Sequence, residues 1–362
     1  MLTLLSAALL LALTTASVAA EGDAGIPDVQ GTDLVITADL ETAPVDSPED
    51  AADDVAIWID RASPAASLIV ATDKKKGLLL YDLTGRPVHQ LSLGRMNNVD
   101  LRQDLVLGPW QGDLIAATDR TYKRIVFLEL DRQHRRLKPI GFAEAGVSRP
   151  YGICMHHGPR GVHVVVTGKD GDLHQLRVLA VQPDRGVLVE PLATVRLPSQ
   201  AEGCVADDLT GTLYVAEEVR GIWRMPIWDI RSRALVAEVG DSTGLRADVE
   251  GLAIYRRDAR TAYLIASSQG DDSFVLFRLG ERLAPLGKLR IMGDPAAAID
   301  GVSETDGLEV AAVPLGPRFP EGLLVVQDGL NEQPSENQNF KLIDWRKLRP
   351  LLGAAEQFSD LR

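Results

Sequence analysis

Short apolar runs recur along the chain in pairs, each pair split by a polar cluster. The first is 68–83 (LIVATDKKKGLLLYDL), followed by 114–130 (LIAATDRTYKRIVFLEL), 164–178 (VVVTGKDGDLHQLRV) and 213–227 (LYVAEEVRGIWRMPI). The pattern returns at 263–279 (YLIASSQGDDSFVLFRL), and then as 323–327 (LLVVQ) with 339–345 (NFKLIDW) across a longer loop. Short apolar runs around a polar turn are the signal of a β-hairpin. Successive copies begin about 46–60 residues apart, the spacing of a four-stranded propeller blade.

A further short strand precedes each hairpin, and five share an opening: Asp53-Asp54-Val55, Tyr151-Gly152-Ile153, Glu202-Gly203-Cys204, Glu250-Gly251-Leu252 and Asp306-Gly307-Leu308. The second copy opens less regularly, as Asn97-Asn98-Val99-Asp100. Six such units predict an all-β fold, a six-bladed β-propeller forming a single domain over residues 33–350. The regular period disfavours two separate β-domains. Residues 33–40 (DLVITADL) alternate and are expected to complete the last blade, which closes the ring. Residues 351–362 read as a C-terminal tail.

Residues 2–20 (LTLLSAALLLALTTASVAA) are apolar and end in small residues. Their length and the Val18-Ala19-Ala20 ending fit a signal peptide over 1–20 better than a membrane span, although no Lys or Arg precedes the apolar run. A Gly/Asp-rich linker, 21–32, follows. The mature chain is therefore expected to be secreted or periplasmic, with no membrane contact after cleavage. Cys154 and Cys204 are able to pair in such a compartment, but buried free thiols are the expectation, because sequence alone does not bring them together.

The 362 residues carry 38 Lys+Arg against 51 Asp+Glu, a formal charge of −13, with 5% aromatic residues. That balance argues against nucleic acid, which needs a basic face and stacking platforms. Two cysteines and six histidines exclude a Cys-rich zinc module.

Within the repeats the charges are divided. Lys74, Lys75, Arg120 and Lys169 fall in blades one to three, whereas Glu217, Glu218, Gln269 and Asp328 fall in blades four to six. Strand openings add Glu202, Asp248, Glu250, Asp300 and Asp306 to the acidic half. The expected result is a bipolar channel mouth, with cations for phosphate or carboxylate groups and oxygen ligands for a hard cation such as calcium. The bland reading is that the acids cap turns and the lysines are solvated. The segment His156-His157-Gly158-Pro159-Arg160 resembles a histidine phosphatase signature only in part, since no Arg precedes His157. Gly-x-Ser-x-Gly and His-Glu-x-x-His are both absent from the sequence, which leaves metal-activated water as the expected chemistry.

Ten collinear segments carry a family resemblance. They are 53–58 (DDVAIW), 97–102 (NNVDLR), 166–171 (VTGKDG), 202–208 (EGCVADD) and 213–218 (LYVAEE), then 247–255 (ADVEGLAIY), 264–270 (LIASSQG), 300–307 (DGVSETDG), 326–329 (VQDG) and 337–341 (NQNFK). Together they resemble the β-propeller, calcium-dependent phytases. The resemblance implies hydrolysis of phosphate monoesters of myo-inositol hexakisphosphate, taken as a calcium complex, by a protein expected to be a monomer. It implies phosphate contacts from Lys74, Lys75, Arg120, Tyr151 and Lys169, and calcium ligands around the cleavage position from Glu41, Glu202, Asp248, Glu250 and Asp306. Glu218 falls on an acidic site position and Gln269 on a polar one. Stabilising calcium sites correspond to Asp54, the Val99 carbonyl, Asp300 and Asp328. The chain departs from the family at Asp73, where Asn is usual, and at Val55, where Pro is usual. The extra charge of Asp73 is expected to weaken phosphate binding or add a metal contact. The rival readings are a calcium-dependent lactonase, disfavoured by the four cations, and a non-catalytic binding module.

Overall fold

The computed structural model describes residues 33–357 apart from Pro183, with side chains through Gly353. The expected signal peptide and linker lie outside the described residues. The chain begins with β1 (Asp33–Thr37) and β2 (Leu40–Glu41), then lays down its blades in order. Blade one is β3 (Ala52–Trp58), β4 (Leu68–Asp73), β5 (Gly77–Asp82) and β6 (Pro87–Ser92); blade two is β7 (Met96–Leu107), β8 (Trp110–Asp119), β9 (Arg124–Asp131) and β10 (Arg136–Glu144). Blade three comprises β11 (Pro150–Gly158), β12 (Gly161–Gly168), β13 (Asp172–Gln182) and β14 (Gly186–Arg196); blade four, β15 (Ala201–Asp207), β16 (Thr212–Glu217), β17 (Gly221–Pro226) and β18 (Ala234–Glu238). Blade five holds β19 (Val249–Arg256), β20 (Ala262–Ser268), β21 (Ser273–Arg278) and β22 (Ala284–Met292); blade six, β23 (Leu308–Ala311), β24 (Leu323–Asp328) and β25 (Asn339–Asp344). The six-bladed propeller expected from the repeats is the fold observed.

The second strand of each blade is buried on both faces over most of its length, which is why it reads as an apolar run rather than an alternation. In β4, Leu68 and Val70 pack toward blade two while Ile69 and Ala71 pack toward blade six. The same division recurs around the ring, so the core is six inter-blade layers, each shared by two neighbours. A fully buried Leu or Ile in such a layer contributes roughly 1.5–3 kcal/mol.

Ring closure differs from expectation. Residues 33–40 do not act as one strand: β1 runs parallel to β22 and becomes a fifth strand on blade five, with Asp33 opposite Lys288 and Thr37 opposite Met292. The chain then crosses over, and the short β2 pairs antiparallel with β25 to complete blade six. Alternation announces a strand but carries no information about which sheet edge receives it. The C-terminus differs as well. Helix α1 (Arg349–Gln357) spans the expected boundary at 350, and its Leu351 and Leu352 are buried with Trp345 in the layer between blades five and six. Trp345 stacks on Tyr255 with ring centroids 3.8 Å apart.

The cysteines correct a third expectation. Cys154 on β11 and Cys204 on β15 form a disulfide, with a Cα–Cα distance of 5.7 Å. The inner strands of adjacent blades lie side by side at the channel, a proximity in space that sequence does not display. No described helix is long and apolar enough to cross a membrane.

Two predictions follow from this packing. The disulfide closes a loop of 50 residues, for which chain entropy predicts about 4 kcal/mol of stabilisation. Replacing both cysteines by serine is expected to lower the urea midpoint and to raise the m-value, because the unlinked denatured chain exposes more surface. His156 and His163 face each other across β11 and β12, and burial pushes both imidazoles below the usual 6.5. The unfolded chain therefore takes up protons first, so their contribution is complete above pH 6.5 and is lost as pH falls below it. His156→Leu should flatten the decline in urea midpoint between pH 7.5 and 5; an unchanged slope would contradict the assignment.

Candidate active site

At the start of the inner strands the register with the second strand skips two residues. It skips between Ala52 and Val55, Met96 and Val99, Pro150 and Ile153, Ala201 and Cys204, and Val249 and Leu252. These bulges set Asp53, Asn97, Tyr151, Glu202 and Glu250 at equivalent places around one end of the channel, and Asp306 precedes β23 at the same place. Hydroxyls from the second strands lock the ring. Thr167 Oγ1 accepts from the Gly152 amide (2.9 Å) and donates to the Glu202 carbonyl (2.8 Å) on the next blade. Thr118 does the same between the Asn98 amide and the Tyr151 carbonyl. Blades approach so closely here that a Cβ on Gly152 would stand 1.9 Å from the Glu202 carbonyl oxygen.

The acidic wall converges. Carboxylate oxygens of Glu202, Glu218 and Glu250 lie within 4.8 Å of one another, and all three residues are buried. Asn97 Nδ2 donates to Glu202 Oε1 at 2.7 Å, and Gln200 Nε2 donates to Glu218 Oε1 at 2.5 Å. Glu202 Oε2, Glu250 Oε2 and both carboxylate oxygens of Asp53 are buried with no hydrogen-bond partner. Burial pushes Glu202 and Asp306 up, Glu250 and Asp53 far up, and Glu218 up to about 7, with neighbouring carboxylates adding to the effect. Three buried carboxylates at this separation, with orphaned oxygens, fit a hard divalent cation of the calcium type. Asp248 is half-buried beside them; its carbonyl accepts from the Gln269 amide at 2.9 Å.

Cations stand on the facing side. Lys74 Nζ is 2.6 Å from Asp306 Oδ2 and 3.8 Å from Asp53 Oδ2, and it also pairs with Asp50. Gln269 Nε2 donates to the other Asp306 oxygen at 2.7 Å. Arg120 Nη1 donates to Asn97 Oδ1 at 2.8 Å, so Asn97 joins that guanidinium to Glu202. Lys169 Nζ sits 3.8 Å from the Tyr151 ring centroid and the Arg120 guanidinium 5.7 Å from it. Tyr151 thus spaces two cations, and burial with the facing Glu202 and Glu250 charges keeps its hydroxyl protonated. The division of charge is less clean than the sequence suggested. Lys74 crosses the seam between blades one and six to Asp306, and Asp53 puts an acid into the basic half.

Other expected residues gather elsewhere. Lys75 turns to Glu49 (3.2 Å) and the Pro48 carbonyl, away from the Lys74 cluster. Glu41, Asp300 and Asp328 surround the fully buried Lys341 ammonium at 2.7, 2.5 and 3.0 Å, rather than joining the Glu202 cluster. Asp54 Oδ2 accepts from the Val99 amide at 3.0 Å, and burial pushes its carboxyl up to about 8. Two suspected charges serve the fold. Asp73 accepts from the Lys75 and Ser47 amides, and Glu217 accepts from Ser199 and Trp223. Asp53, Asn97 and Lys341 are the residues that sequence reasoning passed over. The first two were visible in their alignment with Glu202 and Glu250 at the strand openings.

The sequence profile of the family described as Phytase matches residues 1–360. A curated relative, the 3-phytase of Bacillus subtilis (strain 168), is 36% identical over 332 residues, covering 88% of this chain and 85% of its own length. A solved structure of a functionally unknown protein from Desulfotomaculum acetoxidans DSM 771 covers 64% of this chain and 70% of its own, at 14% identity and a TM-score of 0.45, a likeness too slight to bear on function. With profile and relative both spanning the propeller and its acidic mouth, the chain belongs to the phytase family.

Proposed function

We propose that this phytase, a phosphoric monoester hydrolase acting on phytate, works with calcium held by Glu202, Glu218, Glu250 and Asp248, and without a phosphoenzyme. The observation that carries the reading is the trio of buried carboxylates within 4.8 Å, two of them with an orphaned oxygen, facing Lys74, Arg120 and Lys169. When bound, calcium neutralises phosphate charge and lowers the pKa of the water that attacks phosphorus in line, releasing inorganic phosphate.

The chain's own side chains do the rest. Arg120 and Lys169, spaced by the Tyr151 ring, receive equatorial phosphate oxygens, where charge grows in the transition state. Lys74 exchanges its Asp306 contact for a phosphate oxygen. That exchange leaves the Asp306 carboxylate, still held by Gln269, and the unpartnered Asp53 carboxylate open to a second cation. Lys75, half-exposed beside Glu49, is a phosphate contact at the rim. Glu41, Asp300 and Asp328 outnumber the Lys341 ammonium they surround, so net negative charge remains there. With Asp54 and the Val99 carbonyl in the channel, they are read as the stabilising calcium positions. The Cys154–Cys204 disulfide supports work in an oxidising compartment, secreted or periplasmic. The closed ring of blades supports a monomer.

Two measurements test the reading. Glu202→Gln and Asp306→Asn are each expected to cut phosphate release from phytate by about two or more orders of magnitude, with the circular dichroism spectrum intact, and excess chelator should abolish release in the wild type. Near-normal turnover in either variant would sink the assignment. Because Glu218 sits at about 7, calcium binding must displace a proton near neutrality. Calorimetric affinity should fall as pH drops from 8 to 6, with a heat that depends on the buffer. Glu218→Gln should reduce that buffer dependence without abolishing it, because Glu202 and Glu250 are also pushed up and share the site.

A further inference from the structure

A cavity of 630 Å³ opens at the opposite end of the ring, between blades four and five. It is built by the turns that follow β15 and β19 and by the outer end of β17, so it shares no residue with the mouth. Its size lies in the range of small-molecule sites. On a chain of net charge −13, this concavity gathers Arg224, Arg256 and Arg260 against one acid, Asp207.

The three guanidinium groups differ in how far they are satisfied. Arg256 is spent: its Nε and Nη2 clasp the two oxygens of Asp207, and Thr210 Oγ1 holds the same carboxylate at 2.7 Å. Arg224 donates from Nη1 to the Glu281 carbonyl at 2.7 Å, a contact that orients it without cancelling its charge. Arg260 is exposed, and its guanidinium has no acidic partner among the described residues. Two uncompensated cations facing one hollow repel each other, and an anion placed between them relieves that repulsion.

The rim supplies a flat apolar surface. Trp228 is 49% exposed, and its ring packs over Gly211, where a Cβ would stand 2.2 Å from it. The Arg160 guanidinium of blade three lies over the indole, 4.9 Å from its centroid, and adds another cation at the rim. Met225, Pro226 and Leu279 line the hollow between indole and guanidinium groups. A bare phosphate would leave the indole and this apolar lining unused. A ring bearing phosphate uses both, with its C–H groups against the exposed part of Trp228 and its phosphates toward Arg224 and Arg260.

We propose that this cavity is a second, non-hydrolytic binding site for a phosphorylated cyclic polyol, the class of compound on which the mouth at the other end acts. The naming of that ring as an inositol rests on the function proposed above; the pairing of phosphate with a ring face rests on the cavity alone.

The test uses the full chain in excess chelator, titrated with phytate in a calorimeter. Arg224→Gln/Arg260→Gln should lose at least about tenfold in affinity at one site, while its calcium-dependent phosphate release stays within about twofold of wild type. Lys74→Ala/Lys169→Ala should keep that site. Phytate should also quench tryptophan fluorescence in the wild type and much less in Trp228→Phe. An isotherm unchanged by the double arginine substitution would overturn the proposal. Inorganic phosphate binding there as tightly as phytate would overturn the ring assignment. Failure of the wild type to release phosphate would count against the mouth alone, since the isotherm reads the cavity without catalysis.

Discussion

Negative charge held out of water at one end of a narrow channel is the constraint on which the rest of this molecule turns. Asp53, Glu202, Glu250 and Asp306 occupy equivalent points of successive blades, and the blades are drawn together by apolar layers that leave little room for solvent. Four carboxyls in such a place do not all ionise unaided, and burial pushes each of them upward. One ammonium, Lys74, answers part of the charge; the remainder awaits cations from solution. The site is in that sense a cost of the fold that the fold itself sustains, because the layers between blades supply the energy that keeps the carboxyls together.

The precision of the mouth comes from backbone rather than from side chains. A two-residue skip at the head of five of the six inner strands turns a regular sheet into a ring of aimed side chains. The hydroxyls of Thr118 and Thr167 tie the skips of blades two and three to the neighbouring blade. Asn97 and Tyr151 extend this rigidity to the cations: one joins Arg120 to Glu202 by hydrogen bonds, and the ring of the other holds both Arg120 and Lys169 by cation–π contact. Arg120 and Lys169 are thus held in place before any ligand arrives.

Much of this was legible in the sequence, and the exceptions share a cause. The six hairpins were readable because doubly buried strands leave unbroken apolar runs, and the site was readable because the strand openings repeat. Glu202, Glu250 and Asp306 stand where those openings put them. The path of residues 33–41, the bond between Cys154 and Cys204, and the gathering of Glu41, Asp300 and Asp328 around Lys341 were not readable. Each depends on which distant segments meet across the ring, and local pattern is silent on that. Asp73 shows the opposite limit. It looks like a site charge in sequence, yet one of its oxygens accepts from the Lys75 amide in the turn that presents Lys74 and Lys75, and the other from the distant Ser47 amide.

The way the ring is fastened also orders events in time. Glu41 and its partner Lys341 are separated by 300 residues, and β1 waits likewise for β22. A ribosome delivers β1 and β2 first and their partners last, so those strands spend nearly the whole of synthesis without a sheet to join. Blades one to four lie within their own continuous stretches of chain and are free to assemble as they emerge. The last stitch of the propeller is therefore also its oldest piece of chain, and the nascent protein stays an open ring until its final blade is complete.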